Sequence, residues 1–410
     1  MKMLDNISKI LEKRVCDHCL GRQFSKLGTG YSNDERGKVF REMLFFAIDS
    51  GKEYDVDPSN FYGFNFRNNK DFGKKVKKPG KCCMCNGFFD DIDKFARKIS
   101  KKLKKIEFET FLVGTRPSHE FLAMEEEVWD KAGIEFVEPI RAEINREVGK
   151  RLEKIMKKKT DFARPDVVVI VDLDTDYVEV NPNPIFISGF YNKLKRGFPQ
   201  CKWGTPGVYK TSVQQMIANP FMKVTKGRSN KFHGAGREDI DAVCVGWRPF
   251  VLEIVEPLKR KINLKKIEKE IKKTKKVEVK ELKISDSKYV AKIKQSRPDK
   301  TYKAIVALDK KIDKKDLKKL SKIKGKISQR TPKRVKHRRA DLVRERKVLD
   351  IKSKFINSKK FELKVKGTAG LYIKELISGD EGRTKPSVSQ ILDVNAKCAK
   401  LDVIKIEKIK

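Results

Sequence analysis

Two Cys-x-x-Cys pairs in the first part of the chain constrain its fold most strongly. Cys16 and Cys19 form the first pair, and Cys82 and Cys85 form the second. Four thiolates complete a tetrahedral zinc site, which would tie both ends of this segment to one ion. Because four cysteines leave no coordination position open for water, we expect structural Zn²⁺. Cys83 and His18 are the alternative ligands. No βαβ pattern surrounds either pair, which disfavours a redox motif.

The hydrophobic periodicity and the turn residues divide the chain into three segments. Residues 1–92 form a zinc-binding N-terminal unit, in which apolar spacing predicts a helix over 33–48. Residues 93–200 form a small α/β unit, and 201–410 form the third segment. The stretch 198–207 is rich in turn residues and marks the boundary between the last two. The elements predicted in the second segment are strands over 108–115, 166–173, 177–180 and 184–191 and a helix over 140–156.

In the third segment, helical and strand patterns are interspersed. The predicted strands are 250–255, 277–284, 289–295, 301–308, 347–356, 360–366 and 401–409, and the predicted helices are 264–275 and 313–323. The strands lack the regular alternation with helices that βαβ units require. This order favours an α+β fold with a mixed or antiparallel sheet.

The charge of the chain indicates a nucleic-acid partner. It has 96 Lys and Arg against 56 Asp and Glu, a net charge of +40. Basic side chains neutralise phosphates and release counterions. A thermophile-like surface explains abundant charge but not this excess of cations. No apolar run reaches the ~20 residues that span a bilayer, and the start lacks the apolar core of a signal peptide. We therefore expect a soluble cytoplasmic protein with no membrane partner.

The stretch 233–250, HGAGREDIDAVCVGWRPF, places an arginine and carboxylates directly behind two glycines. In a regular strand Arg237, Asp239 and Asp241 would share one face. An arginine beside an aspartate favours the ionised carboxylate. The stretch can therefore present a fixed anion without a metal.

Its core, Gly236-Arg237-Glu238-Asp239, resembles the Gly-Arg-x-Asp motif of pseudouridine synthases. Two later patches follow in the family's order: YKAIV at 302–306 resembles the Tyr-x-Ala-x-Val strand, and GLYIKEL at 370–376 resembles the Gly-Thr-Tyr-Ile-Arg-x-Leu segment. Three longer sequence motifs resemble those of the archaeal and eukaryotic tRNA pseudouridine synthases that carry a THUMP domain. They are CDHCLGRQF at 16–24, QRTPKRVKHRRAD at 329–341 and GDEGRTKP at 379–386.

This resemblance implies an enzyme that isomerises uridine to pseudouridine in the T-loop of tRNA, at positions 54 and/or 55. It implies a pseudouridine synthase-like catalytic domain after a THUMP-like RNA-binding domain at 93–200. The partners would be the T-arm and the acceptor region of tRNA, and the enzyme would act as a monomer without a redox or nucleotide cofactor. Removing residues 1–200 should then weaken tRNA binding while the remainder stays folded.

The resemblance also assigns roles to individual residues. Asp239 holds the family's aspartate position and is the expected nucleophile or base, with Asp241 as the alternative. Tyr302 would stack on the uracil or deprotonate C5, unless it is a buried tyrosine of the sheet. Lys374 stands where the family has arginine, and Leu376 is either a pocket wall or core. The residues expected to bind substrate are Arg237, Tyr302, Tyr372, Lys374 and Leu376, and those expected to bind RNA phosphates are Arg334, His337, Arg338 and Arg339.

Two other functions stay open. A different THUMP-type tRNA-modifying enzyme would need a nucleotide-binding loop. Gly28-Thr29-Gly30 and Gly234-Ala235-Gly236 both lack the third glycine and the preceding strand of such a loop. A non-catalytic zinc-containing tRNA-binding protein is the other alternative, and inactivity of the wild-type protein on every tRNA tried would favour it.

Overall fold

A computed structural model describes residues 2–175, 177–201 and 208–408. The chain divides into two compact units, Met1–Asn183 and Pro184–Lys410. Residues 202–207, inside the turn-rich stretch expected to be a boundary, lie outside the described residues. Among the helices described, none combines the length and the apolar character needed to cross a membrane.

The described helices and strands follow in chain order. The α-helices are α1 Lys2–Ile10, α2 Asp17–Gly21, α3 Asn33–Asp49, α4 Lys70–Lys75, α5 Ile92–Leu103, α6 His119–Ala132, α7 Ile140–Met156, α8 Val213–Thr225, α9 Leu264–Lys272, α10 Ser287–Gln295, α11 Ile373–Ser378 and α12 Val388–Leu392. The strands are β1 Thr110–Arg116, β2 Lys159–Thr160, β3 Val167–Asp172, β4 Val178–Pro182, β5 Ile185–Lys193, β6 Ser229–Gly234, β7 Val243–Val255, β8 Val277–Ser285, β9 Lys300–Leu308, β10 Gly325–Arg330, β11 Val343–Asn357, β12 Lys360–Gly367, β13 Thr384–Lys385 and β14 Ala396–Ile406. Short 3₁₀ helices cover Arg22–Phe24, Pro58–Phe61, Lys314–Ile323 and Lys333–Arg338.

The first unit joins the cysteine-containing segment and the following α/β segment in one hydrophobic core. Its sheet has the order β2-β1-β3-β4, and only β3 and β4 are antiparallel. Alternate residues of β3, Val167, Val169 and Val171, are buried, as the period of a strand with one face in the core requires. The helix predicted over 140–156 is confirmed as α7, whereas α6 has no counterpart in the sequence analysis.

The second unit contains a ten-stranded sheet in the order β13-β10-β11-β12-β9-β14-β7-β5-β8, with β6 paired to β7. The pair formed by β14 and β7 is parallel, and the other described pairs in this sheet are antiparallel. The predicted α+β class with a mixed sheet is confirmed.

Strand β5 belongs to this second sheet, although the sequence pattern places residues 184–191 at the end of the second segment. It pairs along its length with both β7 and β8. Ile187 and Tyr191 on β5 are fully buried in the core of the second unit. The division of the chain therefore lies at Asn183/Pro184, before the strand, because both of its neighbours come from later residues.

The strand expected over 289–295 is wrong, because Ser287–Gln295 is helix α10. The side chain of Asp286 accepts a hydrogen bond from the backbone N–H of Tyr289, which caps the helix. Val290 and Ile293 are buried at a helical spacing of three. The helix expected over 313–323 has 3₁₀ geometry, in which a buried side chain recurs every third residue at Leu317, Leu320 and Ile323.

Candidate active site and metal centre

Asp239 lies on the loop between β6 and β7, and the chain holds this loop through its backbone. Lys193, at the end of β5, is fully buried and donates hydrogen bonds to the carbonyl oxygens of Asp239 and Ile240 at 3.1 and 2.9 Å. Gly236 has a φ of 82°, a conformation that favours glycine. A Cβ there would lie 3.2 Å from Nη1 of Arg248. The loop therefore depends on both the glycine and a strand that precedes it by more than forty residues.

A buried ion pair between Arg248 and Glu238 holds the same loop on the core of the second unit. Nε of Arg248 lies 2.9 Å from Oε2 of Glu238, and both side chains are almost fully buried. The hydroxyl of Tyr191 donates to the same carboxylate at 2.9 Å and accepts a hydrogen bond from Gln200 at 2.7 Å. Burial raises the pKa of the neighbouring Cys244 thiol, and Glu238 is the carboxylate that pairs with Arg248.

Sequence reasoning assigned no role to this network. Glu238 occupies the x of Gly-Arg-x-Asp, and Arg248 lies in the Gly-Trp-Arg-Pro-Phe run that follows. Both residues were therefore visible in the motifs. A glutamate directly before a strand of apolar residues gives no indication that it is buried, since glutamate is almost always exposed.

The Asp239 carboxylate faces a cavity of about 240 Å³ in the second unit, which we call the Asp239 pocket. Nζ of Lys374 lies 3.3 Å from one carboxylate oxygen, and Nη1 of Arg334 lies 3.6 Å from the other. The Asp239 side chain is 35% exposed, against 66% for Asp241. The residues that line the pocket are Gly236, Arg237, Glu238, Asp239, Ala242, Arg248, Lys300, Tyr302, Arg334, Val335, Arg339, Gly370, Leu371, Tyr372, Ile373, Lys374, Leu401 and Val403.

Asp241, the alternative catalyst, does not line this pocket but binds the same lysine. Its carboxylate oxygens lie 3.0 and 2.8 Å from Nζ of Lys374. Against the opposing effect of burial, this hydrogen bond and the lysine charge hold the pKa of Asp241 below its usual value. Lys374 is thus shared by two carboxylates, of which one faces the pocket.

Tyr302 enters the pocket from β9, in the middle of the sheet, where it pairs with Val365 and Val403. Burial raises its pKa to about 12, so its phenol keeps the proton at neutral pH. Tyr302 thus lies in the sheet and lines the Asp239 pocket, and its role in stacking on uracil or deprotonating C5 stays a prediction.

Leu376, expected as a pocket wall or core, is fully buried in the core beneath α11. It is not among the residues that line the pocket. The aliphatic side of the pocket comes instead from Leu371, Leu401 and Val403, of which the last two lie on β14.

Arg334 lies beside Asp239, although its position in a basic run suggests phosphate binding. Its Nε donates to Glu375 at 2.6 Å, and its guanidinium lies 6.0 Å from the centre of the Tyr372 ring. Arg339 donates to the Tyr372 hydroxyl at 2.7 Å. His337 is exposed, and the side chain of Arg338 lies outside the described part of the chain. Residues 331–341 therefore form a basic flap beside the pocket.

The GDEGRTKP patch clamps this flap, and sequence reasoning gave it no structural role. Arg383 donates to the carbonyl of Thr331 at 2.7 Å and pairs with Asp341, so it holds both ends of the flap. The carboxylate of Asp380 accepts a hydrogen bond from the backbone N–H of Lys333 at 3.1 Å. The motif segments 329–341 and 379–386 therefore pack together and hold the flap that carries Arg334.

The four predicted cysteine ligands come together in the first unit. The Sγ atoms of Cys16, Cys19, Cys82 and Cys85 lie within 4.8 Å of one another, and all four residues are buried. We call them the cysteine cluster. Burial raises the pKa of Cys19 well above its usual value when no cation is present. A divalent ion would supply the charge that favours thiolates, so the donor set fits a metal.

The two alternative ligands lie outside the cysteine cluster. Nδ1 of His18 is 2.8 Å from Oε1 of Glu143, and its ring stacks on Phe89 with centroids 4.3 Å apart. The backbone N–H of Cys83 donates to the carbonyl of Arg14 at 2.8 Å, next to the first pair. Burial raises the pKa of the Cys83 thiol to about 11. Among the described residues, neither belongs to the group of four ligand atoms.

Comparison with known proteins identifies the family. The family model "Pus10, C-terminal" matches residues 186–407, and "Pus10 THUMP domain, archaeal" matches residues 95–172. The tRNA pseudouridine synthase Pus10 of Pyrococcus furiosus is 44% identical over 408 residues, which is 98% of each chain. The protein of the same description from Methanothermobacter marburgensis is 40% identical over 425 residues, again 98% of each chain.

Among solved structures, one from a Cbf5-Nop10-Gar1 complex covers 54% of this chain and 50% of its own, with 18% identity and a TM-score of 0.33. The resemblance drawn from the motifs and the THUMP domain expected in the second segment are both confirmed by the family models. The chain belongs to the Pus10 family of tRNA pseudouridine synthases.

Proposed function

We propose that this protein isomerises uridine in the T-loop of tRNA, at position 54, position 55 or both, with Asp239 as nucleophile or base. The observation that carries the proposal is the Asp239 carboxylate, which faces a pocket between Lys374 and Arg334. Either role requires a carboxylate that the substrate can reach, and Asp239 lines the pocket. Asp241 lacks this position, because it is more exposed and lies outside the pocket lining.

The pocket offers the remaining parts of the chemistry. Isomerisation breaks the N1–C1′ bond, turns the base and joins C5 to C1′, so the base must lie flat against a support outside its stack. Tyr302 provides an aromatic face, and Leu371, Leu401 and Val403 provide aliphatic surface. Tyr372, just before α11, and Arg237, on the loop between β6 and β7, also line the pocket. His337 and Arg339, on the flap beside the pocket, would contact the RNA backbone.

The test is tritium release from a tRNA transcript labelled at C5 of uridine, because C5 loses its hydrogen when it bonds to C1′. The protein should release tritium, and mapping should place pseudouridine at position 54, position 55 or both. A transcript with cytidine at both positions is the matched control and should release none. Equal release from the control would contradict the T-loop assignment, and no release from any tRNA would contradict the activity.

We further propose that the cysteine cluster holds structural Zn²⁺ and that the first unit binds the acceptor region. Four sulfur donors are a set that zinc prefers, and the four Sγ atoms lie within 4.8 Å of one another. A truncation that tests the second point has to begin at Pro184, because a start at residue 201 would remove β5 and Lys193. The shortened chain should stay folded and bind tRNA more weakly. Unchanged affinity would contradict this role of the first unit.

We also infer a cytoplasmic monomer that needs no cofactor for catalysis. The described cysteines form no disulfide, as a reducing compartment favours. The described lining of the Asp239 pocket comes from one chain, so a single copy supplies the parts named above. Sedimentation of the protein with and without tRNA tests this, and a stable dimer would contradict it.

A further inference from the structure

Lys300 is a buried cation in the Asp239 pocket that has no anionic partner among the described residues. It is the first residue of β9, two positions before Tyr302, and only 8% of its surface is exposed. Its ammonium makes one hydrogen bond within the described chain, to the carbonyl of Pro298 at 3.5 Å. That distance lies beyond the usual range for such bonds. The three hydrogens of the ammonium are therefore poorly satisfied.

The surroundings of Lys300 make its charge more costly. A Cβ at Gly236 would lie 3.5 Å from its Nζ and 3.2 Å from Nη1 of Arg248, so the two cations flank the same glycine. Burial and the Arg248 charge lower the pKa of Lys300 to about 8, whereas Cys244 and Asp299 act in the opposite direction. Arg248 has its own anion in Glu238, and Lys300 does not share it.

A buried cation without a partner is destabilising, and a protein core is more stable with an apolar side chain of the same length. Such a group in a binding pocket is explained when the ligand supplies the missing partner. Lys300 lines the same cavity as Asp239 and Tyr302. The ligand atom that faces it must therefore be an acceptor on the substrate, close to the ring that Tyr302 supports.

We propose that the Lys300 ammonium donates a hydrogen bond to a carbonyl oxygen of the target uracil and stabilises the negative charge that the ring gains during the reaction. When N1–C1′ breaks, the bonding pair stays with the base and spreads over N1 and the carbonyl oxygens. When C5 bonds to C1′, the ring returns that pair, C5 gives up its proton, and N1 takes up one. Lys300 keeps its own proton throughout. This inference rests on the proposed function, because it places the uracil in the Asp239 pocket.

The experiment compares Lys300→Met with the wild-type chain and with Asp239→Asn, on full-length protein and one tRNA transcript. Loss of one preorganised donor lowers the rate of the chemical step by about 100- to 1000-fold. We expect that loss in the single-turnover rate constant, with the dissociation constant for tRNA within about threefold of wild type. We also expect Lys300→Met to unfold at the same temperature as wild type or higher, because it removes an unpaired buried charge.

The pH profile provides a second readout that a purely structural lysine would not affect. Wild-type kcat/KM reports the free enzyme, and it should fall as the pH rises through about 8, where Lys300 loses its proton. The residual activity of Lys300→Met should lack this alkaline limb. A wild-type profile that stays flat from pH 7 to about 9 would overturn the proposal, whatever the variant does.

The other outcomes also decide between roles. A Lys300→Met rate constant within about threefold of wild type would overturn the proposal. A loss confined to tRNA affinity would assign Lys300 to a phosphate, and a lower unfolding temperature together with lost activity would assign it to the fold. Both results overturn the catalytic role. If Asp239→Asn is also fully active, the failure belongs to the proposed function, whereas an inactive Asp239→Asn beside an active Lys300→Met refutes only the role of Lys300.

Discussion

The cysteine cluster and the Asp239 pocket hold charge in opposite ways. The cluster brings four like groups together with Sγ atoms within 4.8 Å, and each is buried. A bound cation would favour the thiolate forms of such a set. The pocket sets one carboxylate against Lys374 and Arg334 at 3.3 and 3.6 Å, so the chain supplies both signs of charge.

This contrast fits the two proposed roles, a structural metal site and a catalytic site. All four cysteines of the cluster are buried, and a metal with four sulfur ligands leaves no position for a substrate. In the pocket, Asp239 is 35% exposed while its anchor Glu238 is fully buried. Two neighbouring positions of one motif therefore differ in environment, since Glu238 is buried against Arg248 and Asp239 faces the cavity.

The largest effect should come from Cys82→Ser, which removes one of four ligands from the cluster. Apparent zinc binding in small zinc domains stabilises the folded state by on the order of 10 kcal/mol. We expect the bound zinc to be lost and the first unit to become sensitive to protease. Metal analysis and limited proteolysis measure both. Cys83→Ser is the matched control, because Cys83 lies outside the cluster, and it should keep its zinc. An undiminished zinc content in Cys82→Ser would contradict the proposal that the cysteine cluster holds zinc.

Glu238→Gln should have the next largest effect, on the stability of the second unit. It leaves Arg248 buried without its anion, which costs about 3–5 kcal/mol. Urea unfolding followed by fluorescence measures the free energy. The control is Glu362→Gln, which breaks the partly exposed pair with Lys303 in the same sheet and should cost about 0–1 kcal/mol. Equal losses in the two variants would mean that Glu238 does not anchor the loop.

Lys374→Ala tests whether the cations beside Asp239 contribute to the rate. It removes the closer of the two cations from Asp239, and the single-turnover rate constant should fall by about 100- to 1000-fold, as for a lost electrostatic contact. Lys374→Arg keeps the charge and should recover most of the rate. Lys319→Ala, on a surface helix where the lysine pairs with Asp316, is the control and should match wild type. A fully active Lys374→Ala would show that Arg334 alone suffices.

Arg383→Gln should give the smallest effect, because it loosens the flap and leaves the pocket residues in place. Loss of hydrogen bonds from a charged group costs about 1.5–3 kcal/mol locally. We expect faster amide hydrogen exchange over residues 331–341 and about a tenfold lower kcat/KM. Arg330→Gln is the matched control, since Arg330 binds the same Asp341 but is 52% exposed. The clamp has no role if the two variants exchange equally fast.

Local patterns predicted the parts of the molecule that depend on neighbours in sequence. Helix α7 and each Cys-x-x-Cys pair follow from short spacings, and both agree with the structure. The error at 289–295 has a local cause as well. Buried residues at Val290 and Ile293 fit a helix, and the cap at Asp286 starts it, but a mixture of apolar and basic residues over nine positions also fits a strand.

The support of the candidate site could not be predicted in the same way. Glu238 stands at the variable position of its motif, and its burial follows only from β5, which brings Tyr191 beneath it. Lys300 is one of many lysines in a basic chain, and only the folded sheet distinguishes it by burial. Both features depend on pairing between strands that are distant in sequence, which a single sequence does not contain.

The most direct test of the central claim is single-turnover pseudouridine formation in a T-loop transcript by Asp239→Asn and Asp241→Asn. The two variants make the same chemical change two residues apart, and both carboxylates bind Lys374. Asp239→Asn should lose about 10⁴-fold or more, as an enzyme without its nucleophile or base does, whereas Asp241→Asn should stay within about tenfold of wild type. An active Asp239→Asn, or the reverse order of the two, would contradict the assignment of the pocket.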